Sequence, residues 1–132
     1  MNANTVIQPH NSRPAVVWGS GGANYDAISK GIADSIEHCV LRLNPRPGER
    51  ILDLATGTGW TSRVIARRGA IVTGVDIAED LIAVARERAA AEVLPIDYRL
   101  GDAEALPFED ASFDAVISTV GIMRPACSPA MR

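Results

Sequence analysis

The chain has 132 residues and a mass of 14.0 kDa, which fits at most one domain, and 47% hydrophobic content is enough for a packed core. A net charge of −3 and 5% aromatic residues argue against a nucleic-acid surface, and the arginines form no tract. No apolar run approaches the ~18 residues that cross a bilayer. Residues 1–14 lack the pattern of a secretion signal, so we expect a cytoplasmic protein without nucleic-acid or membrane partners.

The first third of the chain predicts an arm followed by one helix. Residues 1–23 are polar and rich in Gly, Asn and Pro, which indicates a flexible arm. From Tyr25, apolar residues recur at steps of three and four, which predicts an amphipathic helix with Asn24 as its N-cap. Cys39 lies in this pattern and is expected in the core. The NPRPG segment at 44–48 ends the helix, because proline cannot continue it.

Beyond this helix, short apolar runs alternate with amphipathic stretches. The runs predict strands at 49–56, 71–76, 96–102 and 113–120, separated by helices at 60–70 and 78–92. Strands that alternate with helices indicate an α/β fold with a parallel sheet. The two cysteines and two histidines have no metal-ligand spacing, so no metal site is predicted.

Three predicted strands end in a carboxylate, namely Asp53, Asp76 and Asp102. In open α/β sheets, ligands bind beyond the carboxyl ends of the strands. The first strand leads into TGTGW at 56–60, which lacks the Gly-Lys-Ser/Thr of a phosphate-binding Walker loop. Ser62 stands where a dinucleotide fingerprint has its third glycine, so an NAD-dependent oxidoreductase is only the weaker alternative.

A nucleoside without phosphates suits these acids together with Gly57 and Gly59. Asp76 can accept both ribose hydroxyls, and Asp102 can accept the adenine amino group while the Ala103 N–H donates to a ring nitrogen. The glycine loop and the following helix start can receive the carboxylate of an amino acid. S-adenosylmethionine combines these groups, so it is the predicted cofactor.

Each acid also has a structural alternative. Asp53 can brace the glycine loop, Asp76 can cap the following helix, and Asp102 can cap a turn. The positions of these residues in the sequence leave both interpretations open.

The chain resembles class I S-adenosylmethionine-dependent methyltransferases, in particular the type 11 domain of ubiquinone and menaquinone C-methyltransferases. The resemblance is carried by LDLATGTG (52–59), VTGVD (72–76), GDAEALPFEDASFD (101–114) and VISTVGIM (116–123). It implies a Rossmann-like three-layer sandwich over residues 24–123, with parallel strand order 3-2-1-4. The implied activity is methyl transfer from S-adenosylmethionine to a small-molecule acceptor.

The resemblance also places cofactor-binding residues at the ends of all four strands. They are Asp53, Ala55, Thr56, Gly57, Thr58 and Gly59 after the first strand, Asp76 and Ile77 after the second, Asp102 and Ala103 after the third, and Thr119, or Ser118 in a shifted register, after the fourth. No residue has a visible claim to a catalytic role, so the catalytic residues stay unassigned.

The pattern departs from the family at Arg124. Residues 124–132 contain two prolines and no amphipathic period, where relatives continue with a helix and a fifth strand. We therefore expect a domain truncated after strand 4, followed by an irregular tail. The fourth strand would then have an exposed edge through which the chain self-associates. A truncated cofactor-binding remnant without catalysis is the alternative to an active enzyme.

Overall fold

The computed structural model describes residues 7, 9–11, 15–16, 31–102, 105–106, 108 and 112–119. A short 3-10 helix at Pro9–Asn11 precedes the main elements. These follow in the order α1 (Ala33–Leu43), β1 (Arg50–Leu54), α2 (Trp60–Ala66), β2 (Ile71–Asp76), α3 (Glu79–Ala91), β3 (Asp97–Leu100) and β4 (Ala115–Ile117). The predicted α/β alternation is confirmed. β2 has its predicted bounds, and the other three strands, α2 and α3 are shorter than predicted. Within the described part of the chain, no helix has the length and apolar character needed to cross a membrane.

The four strands form one parallel sheet in the order β3-β2-β1-β4, which confirms the predicted order. β1 pairs with β2 up to Leu54 opposite Val75, and β2 pairs with β3 up to Asp76 opposite Leu100. β4 pairs with β1 on its other side. Because the strands are parallel, their carboxyl ends lie along one edge of the sheet, where ligands bind in open α/β folds.

The helices α1, α2 and α3 pack on the same face of the sheet. α1 and α2 cover Ile51 and Val72 in one apolar cluster. α3 packs on Tyr98, whose register partner Gly74 lies two residues beyond Val72 and therefore on the same face of β2. The opposite face is covered by side chains that follow β3, with Leu52, Leu54 and Val75 lying under Leu106, Phe108 and Phe113.

The end of α1 agrees with the prediction, whereas Cys39 does not. Asn44 adopts the left-handed conformation at φ 49°, its N–H donates to the Val40 carbonyl at 2.9 Å, and Pro45 follows. Cys39 is exposed, so its predicted core position is wrong. The buried residues of α1 are Ile36 and Val40, and Cys39 is rotated by about 100° from Val40 around the helix. The predicted N-cap Asn24 lies outside the described residues.

Candidate functional site

The loop between β1 and α2, residues 55–59, makes a tight turn at the carboxyl edge of the sheet; we call it the glycine loop. Ala55, Gly57 and Gly59 have positive φ angles of 55°, 59° and 82°. The Gly59 N–H donates to the Thr56 carbonyl at 2.9 Å, and the Thr56 N–H donates to Val75 of β2, also at 2.9 Å. Positive φ costs a non-glycine residue such as Ala55 roughly 1–2 kcal/mol, so the surrounding contacts must stabilise this conformation.

The two glycines of the loop have different surroundings. A Cβ atom added at Gly59 would collide with the Tyr98 hydroxyl and would lie 2.8 Å from Tyr98 Cζ. A Cβ atom added at Gly57 would meet no atom within 4 Å. Packing therefore explains the absence of a side chain at Gly59, whereas the backbone at Gly57 borders open space. A ligand can approach the main chain closely at that point.

Asp76, the last residue of β2, connects the glycine loop to α3. One carboxylate oxygen accepts the Gly57 N–H at 2.8 Å and the other accepts the Ala78 N–H at 2.9 Å. Burial raises the pKa of Asp76, and backbone N–H donors from Ala78, Gly57 and Ile77 oppose that increase. The carboxylate thus lies beside the open space at Gly57 and orients the backbone there.

Asp53 lies beneath the glycine loop rather than at its open side. Its side chain is fully buried, and one oxygen accepts hydroxyl hydrogen bonds from Thr56 at 2.8 Å and Ser62 at 2.7 Å. The two hydroxyl oxygens are themselves 2.9 Å apart. The structure therefore shows the bracing contacts that were the structural alternative for Asp53, and it explains why Ser62 replaces a glycine.

Two opposing effects determine the protonation of this buried carboxyl group. Burial raises the Asp53 pKa to about 6, against the lowering effect of the hydroxyl donors, and the nearby Asp76 charge raises it further.

The other predicted residues that the structure describes follow the carboxyl ends of β2, β3 and β4. Asp102 is buried two residues beyond β3, and its carbonyl accepts the Ala105 N–H at 2.9 Å. After β4, the Ser118 hydroxyl donates to the Leu54 carbonyl at 2.8 Å, and the Thr119 hydroxyl lies 3.1 Å from that of Thr61. Ile77 is partly buried between Asp76 and Ala78, and Ala103 lies outside the described residues.

Arg63 contacts the loop from within the protein, and sequence reasoning gave it no role. Its side chain is nearly fully buried, and its guanidinium donates to the Thr58 carbonyl at 2.7 Å. Its Nε atom lies 3.3 Å from the Glu92 carboxylate, which also accepts from Arg67. The period of α2 places Arg63 one turn after Gly59, but nothing in the sequence shows that its charged group turns back toward the loop.

Tyr98 was predicted only as a strand residue. Its ring fills the space that side chains at Gly59 and Gly74 would occupy, and its hydroxyl donates to the Gly59 carbonyl at 3.4 Å. Burial raises the Tyr98 pKa to about 12. The glycine of VTGVD is therefore explained by an aromatic ring from the neighbouring strand, a contact that only the register of β2 and β3 creates.

Residues 51–131 match the family described as "Methyltransferase domain". The chain belongs to this family. The match covers β1 from Ile51 onward and all of β2, β3 and β4. It extends past Arg124, the position at which the sequence was expected to depart from the family. Together with the strand order, it confirms the predicted resemblance to class I methyltransferases.

The relatives of this chain include an uncharacterized protein and a named methyltransferase. An uncharacterized protein of Mycobacterium tuberculosis is 37% identical in an alignment of 126 positions that covers 90% of this chain and 45% of that protein. A demethylmenaquinone methyltransferase of Clavibacter sepedonicus is 45% identical over 78 residues, which are 59% of this chain and 31% of that enzyme. The chain thus spans less than half the length of both relatives.

A solved structure of similar fold contains the predicted cofactor. Phosphoethanolamine N-methyltransferase 2 of Haemonchus contortus, in complex with S-adenosyl-L-methionine, superposes with a TM-score of 0.60 and 35% identity. The alignment covers 64% of this chain and 20% of that one. The methyltransferase fold of this chain is therefore shared with a protein that binds S-adenosylmethionine.

The different surroundings of the two glycines predict different costs for the same substitution. Gly57→Ala and Gly59→Ala both place a Cβ on a residue with positive φ, which costs roughly 1–2 kcal/mol. Gly59→Ala must also displace the Tyr98 ring, and overpacking adds about 1–3 kcal/mol. Urea unfolding should therefore show a clearly larger loss of stability for Gly59→Ala. Equal losses would contradict the packing explanation for Gly59.

The raised pKa of Asp53 predicts a pH-dependent stability difference between the wild type and Asp53→Asn. The folded-state pKa of about 6 exceeds the reference value of 3.8, so protonation of Asp53 favours the folded state. That stabilisation is complete below about pH 4 and is lost as pH rises to about 6. The total loss is on the order of 3 kcal/mol, because one pKa unit corresponds to about 1.4 kcal/mol.

Asp53→Asn cannot titrate, so its free energy of unfolding should rise relative to the wild type between pH 4 and 6.5 and run parallel above pH 7. Urea denaturation of both proteins at several pH values measures this difference. A cost of the Asn side chain that is the same at every pH does not change how the difference in unfolding free energy varies with pH. Parallel curves over the whole range would show that Asp53 is not the titrating group.

Proposed function

We propose that this chain binds S-adenosylmethionine at the glycine loop and Asp76, and that it methylates a small-molecule acceptor. The observation that carries the proposal is the Asp76 carboxylate, which accepts the Gly57 N–H at 2.8 Å beside the open space at Gly57. A charged acceptor and an accessible backbone therefore lie together at the carboxyl edge of a methyltransferase fold. The bound cofactor would supply an activated methyl group on a sulfonium centre.

Asp76 has the capacity to bind a ribose. A carboxylate has roughly four lone-pair directions. The Gly57 and Ala78 N–H groups take one direction on each oxygen at 2.8 and 2.9 Å, and the Ile77 N–H also interacts with the carboxylate. The directions that these donors leave open can accept ribose hydroxyls. Because the side chain is buried, hydrogen bonds to its ionised form are strong and would offset part of its desolvation cost.

Neighbouring strands supply the other ends of the proposed site. Asp102 follows β3, which pairs directly with β2. The ribose of the nucleoside can therefore lie at Asp76 while its base extends toward Asp102. The amino-acid part would lie along the glycine loop, among Ala55, Thr56, Gly57, Thr58 and Gly59, and Thr119 lies on the β4 side. In this orientation the ligand lies along the carboxyl ends of all the predicted strands. The arrangement supports one continuous cofactor-binding site.

The acceptor is proposed only as a small molecule. The names of these similar proteins refer to two different small molecules, demethylmenaquinone and phosphoethanolamine. The protein's contribution to such a transfer is to align donor and acceptor and to exclude water. We assign no residue to proton transfer. Cofactor binding without methyl transfer to quinol precursors and small phenols would favour the alternative, a non-catalytic remnant.

The ribose assignment predicts that Asp76→Ala weakens the binding of S-adenosylhomocysteine, the product form of the cofactor. Loss of a charged partner for buried donors costs about 1–3 kcal/mol, which is roughly tenfold to hundredfold in Kd. Isothermal titration calorimetry measures this change. Asp80→Ala is the matched control, because Asp80 is an exposed acid in the first turn of α3 and should leave the Kd unchanged.

The same titration distinguishes the proposal from a dinucleotide-binding protein. Wild-type protein should bind S-adenosylhomocysteine and should not bind NADH at comparable concentrations. Unchanged affinity in a folded Asp76→Ala variant would remove Asp76 from the ribose site. Tight binding of NADH alone would instead favour the oxidoreductase alternative.

Self-association through the edge of β4 is the proposed mode of assembly. Within the described ranges β4 pairs with β1 alone, and Val116 is 56% exposed. Val116→Lys should lower the apparent mass in light scattering, because a lysine on an edge strand disfavours strand addition. Ile71→Lys is the control, since Ile71 is 57% exposed but lies on the interior strand β2. An identical mass for wild type and Val116→Lys would exclude this edge as the contact.

A further inference from the structure

The peptide group between Thr58 and Gly59 is a point at which the glycine loop can change conformation. Its orientation depends on ψ of Thr58 and φ of Gly59, and glycine adopts φ of either sign at little cost. Rotation of this peptide would reverse the directions of its C=O and N–H groups without a clash from a Cβ atom at Gly59. A binding loop that samples both orientations would bind its ligand more weakly, because the ligand would have to select one of them.

Contacts on both sides of this peptide select a single orientation. The Thr58 carbonyl accepts a 2.7 Å hydrogen bond from the Arg63 guanidinium. In a trans peptide the N–H points opposite to the C=O, and the Gly59 N–H donates to the Thr56 carbonyl at 2.9 Å. Both bonds would break together if the peptide rotated. The bond from Arg63 is charge-assisted and buried, so it is the stronger of the two.

Arg63 is itself held in place by groups outside the loop. Glu92, at the end of α3, lies 3.3 Å from its Nε atom, and the guanidinium carbon lies 5.7 Å from the centre of the Trp60 ring. Glu92 also binds Arg67, which is half exposed and makes its bond to Glu92 at the protein surface. Arg63 and Arg67 therefore share one acidic partner, and Arg63 is the one of the two that contacts the glycine loop.

We propose that Arg63 is a positioning residue for cofactor binding: it sets the orientation of the Thr58–Gly59 peptide and thereby the affinity of the glycine loop for S-adenosylmethionine. The identity of the ligand in this inference rests on the proposed function. The role of Arg63 in orienting the Thr58–Gly59 peptide concerns the protein alone. A lysine cannot replace the arginine fully, because only the guanidinium fork can donate to the Thr58 carbonyl and face Glu92 together.

Hydrogen exchange of the Gly59 amide tests the structural part without any ligand. Arg63→Met keeps the length of the side chain and removes its donors, so the Gly59 amide should exchange about tenfold faster, the factor expected when a charged hydrogen bond is lost. Amides of β1 and β2 should keep their wild-type rates. Arg67→Met, which disturbs the same acid without touching the loop, should leave the Gly59 rate within twofold of wild type.

Calorimetry with S-adenosylhomocysteine tests the functional part. Arg63→Met should weaken binding about tenfold, by the same loss of one charged hydrogen bond, and Arg67→Met should not. Arg63→Lys should change both measurements in the same direction by a smaller factor, and it replaces Arg63→Met if that variant does not fold.

The outcomes separate this proposal from the proposed function. An unchanged Gly59 exchange rate, or a uniform acceleration over the whole chain, would overturn the positioning role of Arg63. Faster exchange at Gly59 with an unchanged Kd would show that the peptide orientation does not control affinity. Failure of the wild type to bind S-adenosylhomocysteine would overturn the proposed function, and exchange at Gly59 would still decide whether Arg63 orients the loop.

Discussion

The candidate site depends on the parallel pairing of β1 with β2. This pairing brings the end of β2 beside the loop that follows β1, so that the Asp76 carboxylate reaches the Gly57 N–H at 2.8 Å. A shift of the register by one residue would turn Asp76 to the other face of the sheet and would break this contact. The apolar residues of both strands, such as Ile51 and Val72, determine the register because they must face α1 and α2.

The glycine loop has polar support beneath it and open space above it. Asp53, Arg63 and Tyr98 contact its side chains or carbonyls from the protein interior, and among the described residues no buried side-chain nitrogen or oxygen lacks a hydrogen-bond partner. Burial of these groups has a cost, which appears as the raised pKa values of Asp53 and Tyr98. Such a fully connected network favours one loop conformation, and a preformed loop reduces the entropy that a ligand must lose on binding.

The glycine loop lies in the part of the chain that matches the methyltransferase family. The chain aligns with less than half of the length of the curated relatives described above, and the family match covers residues 51–131. Under the proposed function this part binds the cofactor. Proteins that share it are named for different compounds, demethylmenaquinone and phosphoethanolamine, so the shared part does not determine the methyl acceptor.

Much of the fold and part of the site follow from sequence patterns. The alternation of apolar runs predicted the parallel sheet, and the family motifs predicted its order and the positions of Asp76 and Gly57, because these features depend on local spacing. Cys39 shows the limit of such patterns: a step of three residues from Ile36 is compatible with the apolar stripe, yet the helix contacts the sheet along a narrower line that excludes it.

The tertiary structure alone decided what each glycine and each buried charged side chain contacts. Gly59 and Gly74 look equivalent to Gly57 in the sequence, but the first two make room for the Tyr98 ring and the third borders open space. Arg63 looks like a surface residue of a short helix, yet it is buried against the Thr58 carbonyl. The sequence determines spacing along one chain. The contacts described here join residues that are separated along the chain, or a side chain and the backbone one turn before it. They arise only when the strands pair and the helices pack.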